Sequence, residues 1–374
     1  MSRILVDASA AFDQGAGIGR YARNILSRLV PTMPEIEWTF FRAPAGERTP
    51  VESWKVPELS RVVTYPLSRR RFDQLGIRLG LPLPIRPLVG RQDLVYSPDF
   101  TAPPLRGTPR VVTIHDIAFI THPHLTTPGL AAYLRTALRR ELRRGATLAT
   151  VSETTRRRML EHLGVSPDRV FVVPNGVDDR FLKASPLTAE QLASLGVPGR
   201  YLLMVGTIEP RKNHALVLRA LEHLKPSDCR LVVVGRPGWG TDDVVAALRE
   251  RHRAGDLVWL DDLPDHLLPG LYAGSRLVLY PSWTEGFGLP VLEALAAGRP
   301  VITGSDPVFR DVGGEHVSPV DPTDDHELAK SVLEVLERED DGTAPAARRS
   351  HAAQYSWDRS VTMLASRLRQ IQGT

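Results

Sequence analysis

Two glutamates eight positions apart, Glu285 and Glu293, enclose the run Gly286, Phe287, Gly288, Leu289, Pro290, Val291, Leu292. The glycines carry no side chains, so backbone N–H groups there can approach an anion at the start of a helix opening near Pro290. Glu285 can accept hydrogen bonds from sugar hydroxyls. Glu293, about one turn into the helix, can reach ribose hydroxyls. Either glutamate alone would suit an ordinary helix entry with a capping carboxylate. The whole string, followed by Ala294, Ala296, Ala297 and Gly298, reads as a ligand site.

Arg211 and Lys212 stand between a strand end and a helix start. Cations there oppose the helix macrodipole, which favours an anionic ligand over a solvated charge pair. A guanidinium fork and a lysine point charge suit a phosphate group. Near the start of the chain, Gly15, Gly17 and Gly19 form a loop after a strand. It is not a dinucleotide fingerprint, because the third glycine would fall on Arg20. His115 and Asp116 follow a strand, and so does Arg236. No Asp-x-Asp pair occurs, and the doublets Asp242–Asp243, Asp324–Asp325 and Asp340–Asp341 read as helix starts or exposed loops. His122 and His124 read as a loop pair. No metal ligand set is expected.

These residues need elements to hold them. Short apolar runs bounded by turn residues predict strands at 4–8, 38–41, 93–96, 110–114, 147–151 and 170–173. The pattern restarts with strands at 201–205, 230–234, 257–260, 277–280 and 300–303. Helical spacing fills the intervals, including 130–144, 213–224, 242–252 and 290–297, and the first helix is expected to end at Pro31. Residues 43–92 resist reading, 178–199 read as a linker, and 357–370 as a last helix. Alternation of this kind, twice over, predicts two doubly wound α/β domains with ligands beyond the strand carboxyl ends and the natural pocket between the domains.

A length of 374 residues suits two such domains, and 42% hydrophobic with 24% charged residues excludes a disordered or fibrous chain. Apolar runs are too short to span a bilayer, and no signal peptide is visible, so a cytoplasmic location is expected. The one cysteine, Cys229, excludes an internal disulfide framework and a cysteine zinc cluster. The net charge of +4 conceals an asymmetry, since residues 1–180 carry 26 basic against 17 acidic side chains. Arginine clusters at 69–71, 135–144 and 156–158 read either as solvated helix faces of an arginine-rich chain or, with the proline- and leucine-rich stretch 75–88 beside them, as peripheral contact with an anionic acceptor or membrane face. Nucleic acid is not expected.

The Glu285–Glu293 string resembles the E-x7-E signature of the retaining glycosyltransferases of family GT4, which have the two-domain GT-B fold. Four further stretches agree in order: Gly15 to Tyr21, His115–Asp116, Val173 to Asp178, and Val205 to Asn213. The resemblance implies a GT-B architecture with an acceptor domain at 1–180, a donor domain at 181–355 and a final helix, 356–374, packing back on the first domain. It implies transfer of a hexose from a nucleoside-diphosphate sugar, with GDP-mannose, dTDP-rhamnose or a UDP-sugar as donor. The acceptor is a saccharide, lipid-linked or natural-product hydroxyl. Arg211 and Lys212 would stabilise the leaving diphosphate. His115 would contact the donor sugar near the reacting carbon, and Asp116 would line the acceptor side or orient His115. Catalytic roles thus fall on His115, Asp116, Arg211, Lys212 and Glu285. Donor binding falls on Gly17, Gly19, Gly206, Thr207, Arg236, Phe287, Gly288, Leu289 and Glu293. Enzymes of this kind need no metal or other cofactor. The motif style is similar to bacterial polysaccharide mannosyl- and rhamnosyltransferases. A sugar-nucleotide epimerase of the same fold, or an inactive sugar-nucleotide-binding subunit, is the alternative.

Overall fold

The computed structural model describes residues 2–373 apart from 16, 46–53, 59, 82, 225–228 and 339–342. Ala16 of the first loop, and the doublet Asp340–Asp341, lie outside the described residues. The chain folds as two compact units. One runs to Gly176 and takes back the tail from Trp357; the other is Val177–Ser356.

The first unit is built on β1 (Ser2–Asp7), β2 (Ile36–Arg42), β3 (Ser60–Thr64), β4 (Leu94–Ser97), β5 (Arg110–Ile114), β6 (Thr147–Thr150) and β7 (Val170–Val172). They lie in the order β3-β2-β1-β4-β5-β6-β7, parallel at each pairing. The strands are apolar on both faces because helices cover both: Ile4, Leu5 and Val6 are all fully buried. The second unit holds β8 (Tyr201–Val205), β9 (Arg230–Val234), β10 (Leu257–Leu260), β11 (Leu277–Tyr280), β12 (Val301–Gly304) and β13 (Val317–Val320). Their order is β10-β9-β8-β11-β12-β13, again parallel. Each sheet has its own apolar core. The expected α/β class with two doubly wound sheets is what the chain adopts.

Both strand orders reverse once, between β1 and β4 and between β8 and β11. At such a reversal the loops leaving adjacent strands diverge and open a crevice beyond the carboxyl ends. The loops after β8 and β11 carry Gly206–Lys212 and Pro281–Glu285, which is why those segments meet.

Several local features differ from the sequence expectation. Pro31 does not end the first helix, Gly17–Thr32, which continues one residue past it. The unread stretch 43–92 supplies the edge strand β3, whose pattern is only half apolar because one side faces solvent. The linker 178–199 contains helices Asp179–Leu182 and Ala189–Ser194, the second opened by a Thr188–Gln191 capping box. β13 was not foreseen because Pro319 interrupts it, which an edge strand tolerates.

The tail helix Trp357–Gln372 buries Val361, Leu364 and Leu368 in the first unit. Its Trp357 ring lies 6.1 Å from Tyr21 of helix Gly17–Thr32. Ser360 Oγ donates to Pro174 O at 2.5 Å, and Arg369 pairs with Glu35 at 2.9 Å. Deeper in the same unit Arg110, the first residue of β5, meets Glu141 of helix Pro128–Arg143 at 3.2 Å, with both side chains 3% exposed.

Candidate functional site

In the second unit β8 ends at Val205, and the chain turns through Gly206 and Thr207 into a single 3-10 turn, Pro210–Lys212. Asn213 follows with φ 59°, the one described non-glycine residue in the left-handed region. Asparagine tolerates that conformation, and here its Nδ2 also donates to Pro281 O and Pro322 O at 3.3 and 2.8 Å. This pins the residue after Lys212 to the loop after β11. Helix His214–His223 then begins.

The pin brings three expected residues together. Arg211 Nη1 donates to Glu285 Oε2, and Lys212 Nζ donates to Glu285 Oε1 at 2.5 Å. Two further residues complete the network, and the sequence had not assigned them. Glu209 Oε1 accepts from Arg211 Nε and Nη2 at 3.1 and 2.7 Å. Tyr280, the last residue of β11, accepts from Lys212 Nζ at 2.5 Å and donates to Glu285 Oε1 at 3.0 Å. Its ring also lies 4.7 Å from the ammonium. Glu209 stands two positions before Arg211, so its place in the motif was the only available signal. Tyr280 reads as a buried strand residue, and nothing in its spacing marks the hydroxyl.

The charges inside this network balance, with two cations against two carboxylates. Burial alone would raise the Glu285 carboxyl, but the Arg211 and Lys212 charges outweigh it and hold it below its ordinary value. Burial lowers the Lys212 ammonium in spite of Glu285. Burial pushes the Tyr280 hydroxyl well up, helped by the Glu285 charge. The conflict between two cations and a helix N-terminus, which pointed to an anionic ligand, is therefore met in part by the protein's own carboxylates. Glu285 has both oxygens committed to these cations.

The rest of the Glu285–Glu293 string continues into the helix that follows. Gly288 has φ 96° and sits at the N-cap of helix Leu289–Ala296. An L-residue would be strained there, so the backbone N–H groups of the first turn stay uncovered at this point. Phe287 is buried and meets Tyr355 edge-on at 5.9 Å, while Leu289 is half-buried. Glu293 is buried inside its helix. Thr207 is exposed, and the loop of Arg236 lies beside it, since Ile208 N donates to Arg236 O at 2.9 Å. The Arg236 side chain turns to solvent and pairs with Asp262, with exposures of 74% and 80%.

In the first unit, Gly19 lies where a Cβ would fall 1.8 Å from Gln14 O, so only glycine lets the loop close on its helix. Gly17 has open space around it. His115 follows β5; its Nε2 bonds Pro98 O at 2.8 Å and its ring packs edge-on against Tyr21 at 4.8 Å. Burial lowers the His115 pKa, with Asp99 and the Pro98 carbonyl pulling the other way. Asp116 Oδ1 accepts from Ala118 N, the first residue of the short helix Ala118–Thr121, at 2.9 Å. No hydrogen bond joins it to His115 among the described residues. Asp7 and Asp99, at the ends of β1 and β4, were not foreseen. Asp7 is held by Arg69 at 3.0 Å and Asp99 by Gln14 at 3.3 Å.

His214, directly after Asn213, has both ring nitrogens buried with no hydrogen-bond partner. Burial, and then the Lys212 charge, lower its pKa to about 3. The unfolded chain therefore binds a proton that the folded chain refuses between the ordinary histidine value and about 3. Stability contributed by neutral His214 is complete above that ordinary value and is lost as pH falls toward the folded one, at ~1.4 kcal/mol per pH unit. Denaturant melts from pH 7 down to 4 are expected to show this decline, and His214→Leu is expected to flatten it. An unchanged slope in the variant would show that His214 does not titrate this way.

Two Rossmann-type parallel sheets, each with one strand-order reversal, define a GT-B architecture. Residues 15–181 match the family described as Glycosyltransferase Family 4, and residues 191–355 match Glycosyl transferases group 1. O-antigen chain mannosyltransferase B of Escherichia coli is 33% identical across 72% of this chain and 73% of its own length. The serotype-specific mannosyltransferase WbdA of the same species is 29% identical across 98% of this chain, which spans 45% of WbdA. Among solved structures, sucrose-phosphate synthase from Thermosynechococcus elongatus superposes with TM-score 0.76 at 16% identity, covering 99% of both chains. HepE of Anabaena, solved with UDP-glucose, gives 0.70 at 18% identity over 99% of this chain and 100% of its own. The chain belongs to the group 1 and family 4 glycosyltransferases. Among the described residues no helix is long and apolar enough to cross a membrane.

Proposed function

We propose that the second unit binds a nucleoside-diphosphate hexose through Arg211 and Lys212, and that the enzyme transfers the hexose with retention and without a metal ion. The observation that carries this reading is the buried Arg211–Lys212–Glu285 network at the β8/β11 reversal. As the bond to the leaving diphosphate breaks, charge accumulates on its oxygens, and fixed cations stabilise that charge where it forms. Glu285, Glu209 and Tyr280 hold the cations in place beforehand. Glu293, Gly288, Leu289, Phe287, Gly206, Thr207 and Arg236 surround the nucleotide, while Gly17, Gly19, His115 and Asp116 serve the sugar and its acceptor. The mannosyltransferase relatives support GDP-mannose as the first donor to test, with a saccharide hydroxyl as acceptor.

Calorimetry with GDP, UDP and dTDP in metal-free buffer containing EDTA tests the donor reading. One of the three is expected to bind with the wild-type chain and at least about tenfold more weakly with Lys212→Ala, the loss of one charged hydrogen bond. Binding of none of them, or equal binding by the variant, would overturn it. Isomerisation of the sugar nucleotide with no acceptor present would favour an epimerase.

A specific observation supports peripheral contact between the first unit and an anionic lipid face. A cavity of about 1010 Å3 opens at the amino end of β5, walled by Leu81, Leu83 and Ile85 and rimmed by Arg86, Arg106 and Arg143. Leu79 nearby is 69% exposed. Arginines around an apolar wall suit phosphate headgroups above acyl chains. Co-flotation with phosphatidylglycerol vesicles at low salt is expected, and Arg86→Ser combined with Arg143→Ser is expected to abolish it. Wild-type protein that stays off such vesicles would dismiss the contact.

A further inference from the structure

His223 is the last residue of helix His214–His223, and Asp325 and His326 open helix Asp325–Glu337. The two helices pack together in the second unit. We infer that these three side chains form a site for a divalent transition metal of the zinc type, separate from the donor network.

One ligand atom from each of the three lies within 4.8 Å of the other two. His223 Nε2 and Asp325 Oδ2 are 2.6 Å apart. The two imidazoles lie face to face, 3.8 Å between centroids and 26° between planes. Tetrahedral zinc with bonds of ~2.0–2.1 Å places its ligand atoms roughly 3.3 Å from one another. Side-chain rotation of about an ångström closes the remaining gap, and the exposure of these residues leaves room for it. Stacked rings aim their nitrogens side by side, so holding one ion requires the two rings to splay apart, which the exposure of His223 and His326 allows.

The carboxylate is already oriented for that task. Asp325 Oδ1 accepts from Arg219 Nε at 3.3 Å, leaving Oδ2 to face His223. A ligand oxygen turned toward the ion by a bond to its partner oxygen is the usual outer support of a metal carboxylate. The backbone under Asp325 is fixed as well, since Asp324 caps the helix by accepting from Glu327 N at 2.9 Å. Glu222, next to His223 in sequence, is committed to Arg251 at 2.6 Å and is not a ligand. Two imidazoles and one carboxylate suit Zn2+, Co2+ or Ni2+ and suit Mg2+ poorly, and they leave a fourth position for water.

The place of the site in the fold says what an ion would do there. Lys212 precedes the first turn of helix His214–His223, and His223 ends it, a helix length of roughly 15 Å away. The ion takes no part in sugar transfer. It ties the helix that follows the phosphate loop to the helix that follows β13, and so acts as a staple within the second unit.

Calorimetric titration of the untagged, EDTA-treated full chain with ZnCl2 tests the site, with MgCl2 as control. One zinc per chain, no magnesium, and a rise in Tm with zinc are expected. His223→Ala and His326→Ala are each expected to abolish binding, and Arg219→Gln to weaken it by about tenfold. All three keep the metal-free Tm near the wild-type value, because His326 is exposed and the His223 and Arg219 side chains are 34% and 50% exposed. Absence of saturable zinc binding overturns the inference. So does zinc binding that His326→Ala leaves unchanged.

Discussion

Lys212→Ala is expected to lower turnover by ~10²–10³-fold while the protein stays folded. The ammonium is the smaller and more deeply enclosed of the two cations, with its side chain 12% exposed against 21% for Arg211. On the proposed reading, its removal takes a fixed positive charge from the place where the leaving diphosphate gathers charge. The fold survives because Glu285 keeps Arg211 as partner and Tyr280 as donor. Glu285→Ala differs in kind. It leaves Arg211 and Lys212 close together without the carboxylate both share, so it lowers stability as well as turnover. Steady-state rates beside circular dichroism melts separate the two. Near-normal turnover in a folded Lys212→Ala protein would remove the lysine from the chemistry.

Glu141→Ala has the largest effect expected on stability alone, a loss of ~3–5 kcal/mol. The partner Arg110 is buried at the head of β5, and burial already lowers its pKa. The guanidinium otherwise donates to the Leu105 carbonyl, and its own buried Nε has no hydrogen-bond partner. Without the carboxylate, a guanidinium is left in the first unit with nothing to balance it. Arg144, which also reaches Glu141 at 3.4 Å, is near enough to solvent to hydrate instead. Urea midpoints measure the loss, and Glu141→Gln is expected to recover part of it through its amide oxygen. A shift below about 1 kcal/mol would show that water replaces the carboxylate.

The strands and the loops that leave them were legible because their signals are local. A buried parallel strand is a short apolar run, and β1, β5, β8, β9 and β11 all show it. The Arg211–Lys212 pair and the Glu285 string were legible as types with a purpose. What escaped has long-range causes. Tyr280 matters because the Asn213 pin brings Lys212 under its hydroxyl, across 68 residues of chain. Asp7 matters because Arg69 reaches it from a stretch with no clear periodicity. The Arg110–Glu141 pair looked like one more arginine beside one more surface helix. His223 and His326 lie too far apart in sequence for any spacing rule to join them. Edge strands β3 and β13 were hidden by the polar and proline residues that edges accept.

The tail that returns to the first unit gives the two units unequal genetic status. The second unit is one uninterrupted stretch, whereas the first is written in two pieces on either side of it. Ser2 and Gln372, near the two ends of the described chain, touch at 2.9 Å. A single recombination cassette covering 177–356 can therefore replace the whole second unit and leave the sequence of the first unchanged. No single cassette can do the reverse.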